Sequence, residues 1–268
     1  MQLSQQRILL TGATGGLGRE IALLLASKGA ILGLVGRDAQ KLSALKDEVQ
    51  KAGGSAHCLV ANLSEEGASN QLIQQAKATL GYIDILINNA GVLDFIELQD
   101  QSDARIAEMV NTNVTALIQL TRAALPDFLS ANKGYFVFVG SIFGSLGFPH
   151  FATYCATKFA VHGFSQSLRR ELVNTKISVT YVAPRGIDTP MNAPNVDAMW
   201  KKSGNAVDKP DKVANLIVKA LEQEQQELFI GQPQSLFAWL NGMFPRIVNI
   251  GLNKQTALAR EFLIKPKS

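Results

Sequence analysis

The chain has 268 residues, 47% of them hydrophobic, and a formal net charge of +4. That is enough apolar material for a sizeable core and too little basic excess to argue for nucleic-acid binding. Cys58 and Cys155 make neither a disulfide framework nor a metal site, no run reaches the roughly 18 apolar residues of a membrane span, and no signal-peptide layout precedes residue 7, so a reduced, cytoplasmic setting is expected.

In chain order, residues 7–11 (RILLT) predict a short buried strand running into a glycine cluster, Gly12, Gly16 and Gly18. A helix is expected over 19–28, stopped by Gly29. Strand, glycine turn, helix is an arrangement that receives a phosphate, because the N–H groups and dipole at the helix start attract an anion. Residues 30–36 form a second strand, followed by Arg37 and Asp38. In dinucleotide folds this position meets the adenosine ribose. Gly36 leaves room and Arg37 supplies charge for a 2′-phosphate, which favours NADPH over NADH; Asp38 is placed to cap the next helix.

A helix over 41–52, a strand over 55–61, a helix ending near 80 and a strand over 83–88 continue the alternation. His57 has no partner in sequence and reads as structural. Residues 101–130 predict a long helical region with a kink. Residues 135–141 give a fifth strand, ending in the hydroxyl of Ser141. A helix ending near 174 then places Tyr154 and Lys158 four residues apart on one face. An ammonium near a phenol lowers its pKa and suits it to proton exchange with an alcohol or carbonyl oxygen. A strand over 177–183, a polar loop from Pro184 to Thr189, a helix over 212–223 and a strand over 227–231 close the pattern. The alternation calls for a parallel sheet covered on both faces: an α/β doubly wound Rossmann fold with about seven strands. No linker or repeat divides the chain, so one catalytic domain is expected over 1–231, with a helical extension over 232–268.

Thr11-Gly12-x-x-x-Gly16-x-Gly18, Asn88-Asn89-Ala90-Gly91, Asn113, Ser141, Tyr154-x-x-x-Lys158 and the segment from Pro184 to Thr189 stand in the order and contexts that resemble the classical short-chain dehydrogenase/reductase (SDR) family, over about residues 5–231. The resemblance implies an oxidoreductase with NADPH as cofactor. Tyr154 would be the general acid of carbonyl reduction, Lys158 would tune it and hold the nicotinamide ribose, Ser141 would hydrogen-bond the substrate oxygen, and Asn113 would hold a relay water. Gly12, Thr14, Gly16, Leu17 and Gly18 would line the pyrophosphate turn. Asn62, Leu63, Asn89, Ala90 and Gly91 would face the adenosine side. Pro184, Ile187 and Thr189 would lie at the nicotinamide end. It also implies dimers or tetramers through the helices near 101–130 and 152–174. The four-residue Tyr–Lys spacing separates the chain from enoyl reductases of this fold, which space the pair more widely.

Three departures stand out, one being that the glycine loop holds no basic residue, so NADPH selection would rest mainly on Arg37. Asn62 occupies a position where many members carry Asp, and Arg185 follows Pro184 where Gly is usual; Arg185 is expected to point to solvent rather than to an acidic substrate. Phe148 and His150 are expected at the pocket mouth, and residues 191–200 as a mobile apolar lid. In the extension, apolar residues at 236, 240, 243, 247 and 250 keep helical spacing with a break at Pro245, and five Lys or Arg face one acid, Glu261. Packing into the core or an interface is the commoner outcome for such a stripe; a lid over an apolar pocket and peripheral attachment to anionic lipid at the inner membrane surface are the other readings. The favoured function is NADPH-dependent reduction of an apolar ketone or aldehyde to an alcohol. The alternatives are an NADPH-binding sensor without turnover, against which the intact Ser141, Tyr154 and Lys158 argue, and a membrane-surface, lipid-metabolising dehydrogenase.

Overall fold

The computed structural model describes residues 1–263. Two of the five cationic residues of the extension, Lys265 and Lys267, lie outside the described residues.

Seven strands form one parallel sheet in the order β3-β2-β1-β4-β5-β6-β7. They are β1 Arg7–Thr11, β2 Ile31–Gly36, β3 Ser55–Val60, β4 Ile85–Asn88, β5 Gly134–Val139, β6 Ile177–Pro184 and β7 Glu227–Ile230. The reversal of order between β1 and β4 opens a crevice at the carboxyl ends of the central strands, where open α/β sheets bind ligands. Alternating side chains drive the layering. Ile8, Leu10, Leu32 and Leu34 pack to one face against α1 Gly16–Ser27, α2 Ala39–Lys51 and α8 Pro210–Glu222. Leu9, Val35, Phe136 and Phe138 pack to the other, against α3 Ala68–Leu80, α5 Ala116–Ala131 and α6 Ala152–Glu171.

Several boundaries differ from the sequence reading for local reasons. α1 starts at Gly16 rather than residue 19, because extended Gly15 is the N-cap and the later glycines of the cluster are already helical. The 101–130 region is divided: α4 Asp103–Val110, a π-turn at Asn111–Thr115, then α5. The π-turn interrupts the α-helical bonding within the region where a kink is expected. Asp38 caps α2, accepting from Gln40 N at 2.9 Å and Lys41 N at 3.0 Å.

The connection from β6 to β7 carries α7 Pro194–Ser203 ahead of α8, and the segment beyond β7 adds α9 Gln234–Met243 and α10 Pro245–Arg260. The expected break falls at Pro245, the first residue of α10. Packing of the whole apolar stripe is not found. Leu236, Met243, Ile247 and Ile250 are exposed and Leu240 is half-buried, while Ala238, Val248 and Ala259 are the residues that pack inward. Val248, Leu252 and Ala259 share the inward face of α10, which leaves Ile247 and Ile250 outside.

Candidate active site

One continuous cleft of about 910 Å³ runs along the carboxyl edge of the sheet. At one end it begins at the glycine turn. Gly12 has φ +63°, and a Cβ there would stand 2.9 Å from Ala90 Cα. A Cβ on Gly18 would stand 2.1 Å from the Gly12 carbonyl oxygen, so β1 and α1 meet this closely only without side chains. The first turn of α1 has no side-chain cap, and Thr14, Gly16 and Leu17 line the cleft. Its N–H donors therefore face the space a pyrophosphate would fill.

Asn89 holds this turn in place. Its Nδ2 donates to the carbonyls of Thr11 (3.0 Å) and Gly12 (3.2 Å), while the Thr11 hydroxyl accepts from the backbone N–H groups of Asn89 and Ala90. Further along, Arg37, Asn62 and Leu63 line the cleft. The Asn62 amide is engaged in its own turn, with Oδ1 accepting from the Ser64 hydroxyl at 2.8 Å and Nδ2 donating to Glu65 at 2.9 Å. Arg37 is exposed and only loosely paired, 3.7 Å from Glu108. Lys41, in the first turn of α2, lies beside it on the same wall. No sequence motif marks Lys41, which stands four residues after Arg37, just inside α2 beyond the Asp38 cap.

At the other end, β5 delivers Ser141 and α6 delivers Tyr154 and Lys158 to one wall. The Ser141 hydroxyl accepts from Phe143 N at 3.1 Å, and its carbonyl accepts from the Tyr181 hydroxyl at 3.1 Å. Lys158 is buried; Nζ donates to the Val139 carbonyl at 3.0 Å and stands 5.6 Å from the centroid of the Tyr154 ring. Burial lowers the Lys158 ammonium to about 8. Burial raises the Tyr154 phenol above its ordinary value, with the Ser141 hydroxyl acting in the opposite direction. This corrects the expectation that Lys158 depresses the phenol: the ammonium is aimed at a carbonyl and over the ring, and the desolvated phenol holds its proton.

Asn113 sits in the π-turn and is buried. Oδ1 accepts from Val92 N at 2.8 Å, and Nδ2 donates to Val92 O at 2.8 Å and the Thr157 hydroxyl at 3.1 Å. A Cβ on Gly91 would lie 3.3 Å from Asn113 Oδ1 and 3.7 Å from Lys158 Nζ, so the two polar groups flank that glycine. Pro184, Ile187 and Thr189 line the cleft at the end of β6.

Arg185 does not point to solvent. It forms a two-pronged ion pair with Asp208 at 2.8 and 2.7 Å and donates to the Gln232 carbonyl at 2.8 Å. The pair ties the loop after β6 to the segment before α8, and the guanidinium finds there the partners that water would otherwise supply. His150 is likewise absent from the cleft; it has φ +65° and packs edge-on to Phe95, with ring centroids 5.8 Å apart. Phe148 does line the cleft.

Beyond Tyr154 the cleft is aromatic. Phe143 lies 5.2 Å from Phe148, and Phe151 stacks at 6.2 Å on Trp200 of α7. Phe237 and Leu252 from the two C-terminal helices complete this wall. The sequence offered a lid at 191–200 and, as one of several readings, a lid in the extension; the structure lines the same space with both.

The short chain dehydrogenase family profile matches residues 6–200. Ketoacyl reductase HetN of Nostoc sp. is 32% identical over 237 residues, covering 86% of this chain and 80% of its own. The 3-oxoacyl-(acyl-carrier-protein) reductase FabG of Haemophilus influenzae is 37% identical over 186 residues, 68% of this chain and 74% of its own. Among solved structures, a metagenomic short-chain oxidoreductase in complex with NADP superposes with a TM-score of 0.73 at 29% identity, covering 86% of this chain and 97% of its own.

Proposed function

The chain belongs to the short-chain dehydrogenase/reductase family of oxidoreductases, and we propose that it is an NADPH-dependent reductase of an apolar, lipid-like ketone or aldehyde. One observation carries the reading: Ser141, Tyr154 and Lys158 share a single cleft with an uncapped glycine turn at one end and an aromatic wall at the other.

The residues fit the cofactor. The turn from Gly12 to Gly18 accepts the pyrophosphate, Asn62 and Leu63 flank the adenine end, and Arg37 with Lys41 faces a 2′-phosphate. Lys158, Ile187 and Thr189 hold the nicotinamide end. Bound NADPH supplies the hydride that reduces the carbonyl carbon. The Ser141 hydroxyl donates to the carbonyl oxygen as negative charge develops there. Tyr154 then gives its phenolic proton to that oxygen. A raised phenol pKa keeps the acid loaded at neutral pH, and Lys158, poised near 8, takes part in reloading it. Asn113, across Gly91 from Lys158, holds the water through which the proton arrives. The aromatic wall takes the apolar part of the substrate and excludes bulk water. Leu129 of α5 and Phe159 of α6 are exposed, in keeping with assembly through these helices.

The test is NADPH oxidation against carbonyl compounds of rising chain length, with NADH in parallel. The reading requires turnover that prefers NADPH and improves with chain length. Tight NADPH binding with no turnover on any of them would instead favour a sensor.

A further inference from the structure

The outward face of the α9–α10 hairpin is apolar and uncovered. Among the described residues, fifteen large hydrophobic side chains are exposed, and seven of them fall within the fifteen positions 236–250. The other eight are spread over the rest of the chain, as is ordinary for a protein surface. On α9, Leu236, Trp239 and Met243 recur at helical spacing; Phe244 joins the helices; Ile247 and Ile250 continue the belt on α10. Exposure rises to 60% at Trp239 and 74% at Ile250, while Ala238 and Val248 on the inward faces are buried. A cluster of this kind marks an interaction surface.

The charges carried within the two belt helices are of one sign; Glu261, directly after α10, is paired to Lys202, and Asp197 lies on α7. From Leu228 through Arg260 the chain contains no Asp or Glu, and Arg246, Lys254 and Arg260 are exposed. α7, which packs against α10, adds Lys201. Among the described residues no helix is long and apolar enough to cross a membrane. An aromatic and aliphatic face bordered by cations, on helices too short to span, has the composition of helices that lie in the plane of an interface. A second copy of the same face would bring these cations toward each other, and the one acid at the end of the hairpin, Glu261, is already paired with Lys202.

We infer that the α9–α10 face seats on the surface of an anionic bilayer, with Trp239, Phe244 and Ile250 among the acyl chains and Arg246, Lys254 and Arg260 among the headgroups. The seating has a consequence for the cleft. Phe237 and Ile247 are exposed and also line it, so it opens beside the seated face. An apolar substrate dissolved in the bilayer then reaches Tyr154 without crossing water. This consequence rests on the proposed reductase activity; the seating itself does not.

The experiment is flotation of the full chain with vesicles of phosphatidylcholine, with and without phosphatidylglycerol, alongside light scattering. The wild type is expected to float with the mixed vesicles, less so at raised salt, with a blue shift of Trp emission. Trp239→Glu with Ile250→Glu is expected to weaken vesicle binding about tenfold or more and to leave NADPH binding, followed by its fluorescence, unchanged; neither residue lines the cleft. The inference is overturned if the wild type stays behind at low salt, or if the double variant floats equally well. It is also overturned if the wild type is an oligomer that the double variant breaks into monomers while neither binds vesicles, since a second copy then covers the face. Flotation retained in a protein that oxidises NADPH with no carbonyl compound would overturn the reductase and leave the seating in place.

Discussion

The Tyr181 hydroxyl donates to the Ser141 carbonyl across 3.1 Å, while its ring stacks on His162 with centroids 4.4 Å apart. Tyr181 comes from β6 and Ser141 from the end of β5, so one side chain clamps the turn that presents the Ser141 hydroxyl to the cleft. Gly140 and Gly144 make room for the ring: a Cβ on either would lie within 2.4 Å of Tyr181 atoms.

Removing that clamp has a foreseeable cost. Tyr181→Phe keeps the stacking and loses the hydrogen bond, and the Ser141 carbonyl keeps its second donor, Gly144 N at 2.8 Å. Stability is expected to fall by about 1 kcal/mol. A severalfold loss in kcat with little change in KM for NADPH would mark Tyr181 as a positioning residue. Urea unfolding and steady-state kinetics check the two halves, and equal kcat in both proteins would show that the turn is held without it.

Tyr154→Phe removes the proposed acid and leaves the cleft's shape. Turnover is expected to drop by roughly 10²–10⁴-fold, with NADPH affinity unchanged by fluorescence titration. Retained turnover would require another donor.

Lys158 sets a pH signature. Its ammonium is pushed down to about 8 in the folded chain, against about 10.4 unfolded. Between these values the unfolded chain binds more protons, so this residue's contribution favours folding increasingly as pH rises from 8 to 10 and is lost as pH falls back through 8. The full span corresponds to about 3 kcal/mol. Lys158→Met is therefore expected to show a smaller rise in stability with pH than the wild type over that window, measured by urea unfolding at several pH values. Parallel profiles would mean that the lysine stays charged in the folded chain.

Arg37→Ala tests cofactor choice. Loss of one charge-assisted contact predicts about a tenfold rise in KM for NADPH and no change for NADH. If the preference survives, Arg37→Ala with Lys41→Ala should remove it, because Lys41 lines the same wall.

Arg185→Met separates a structural ion pair from a substrate contact. The bidentate bond to Asp208 is largely shielded, with side chains 15% and 20% exposed, so its loss is expected to cost about 2 kcal/mol. Preference among carbonyl compounds should stay the same. A shift toward or away from acidic substrates would return Arg185 to the substrate site.

The linear chain determined the sheet, the glycine turn, and the placement of Ser141, Tyr154 and Lys158 on one edge. These rest on local rules: apolar alternation sets strands, helical spacing puts residues four apart on one face, and a glycine cluster between strand and helix exposes N–H donors. It also located the cap at Asp38 and the break at Pro245, where a single side chain decides the backbone. What the tertiary structure decided depends on contacts between distant segments. The phenol's pKa rises because burial outweighs the hydrogen bond to the Ser141 hydroxyl, while the Lys158 ammonium is bonded to the Val139 carbonyl. Arg185 folds inward because Asp208 waits twenty-three residues away. The stripe at 236–250 stays outside because the inward face of α10 is set by what α7 and the aromatic wall leave open, and periodicity alone names a face without saying what it meets.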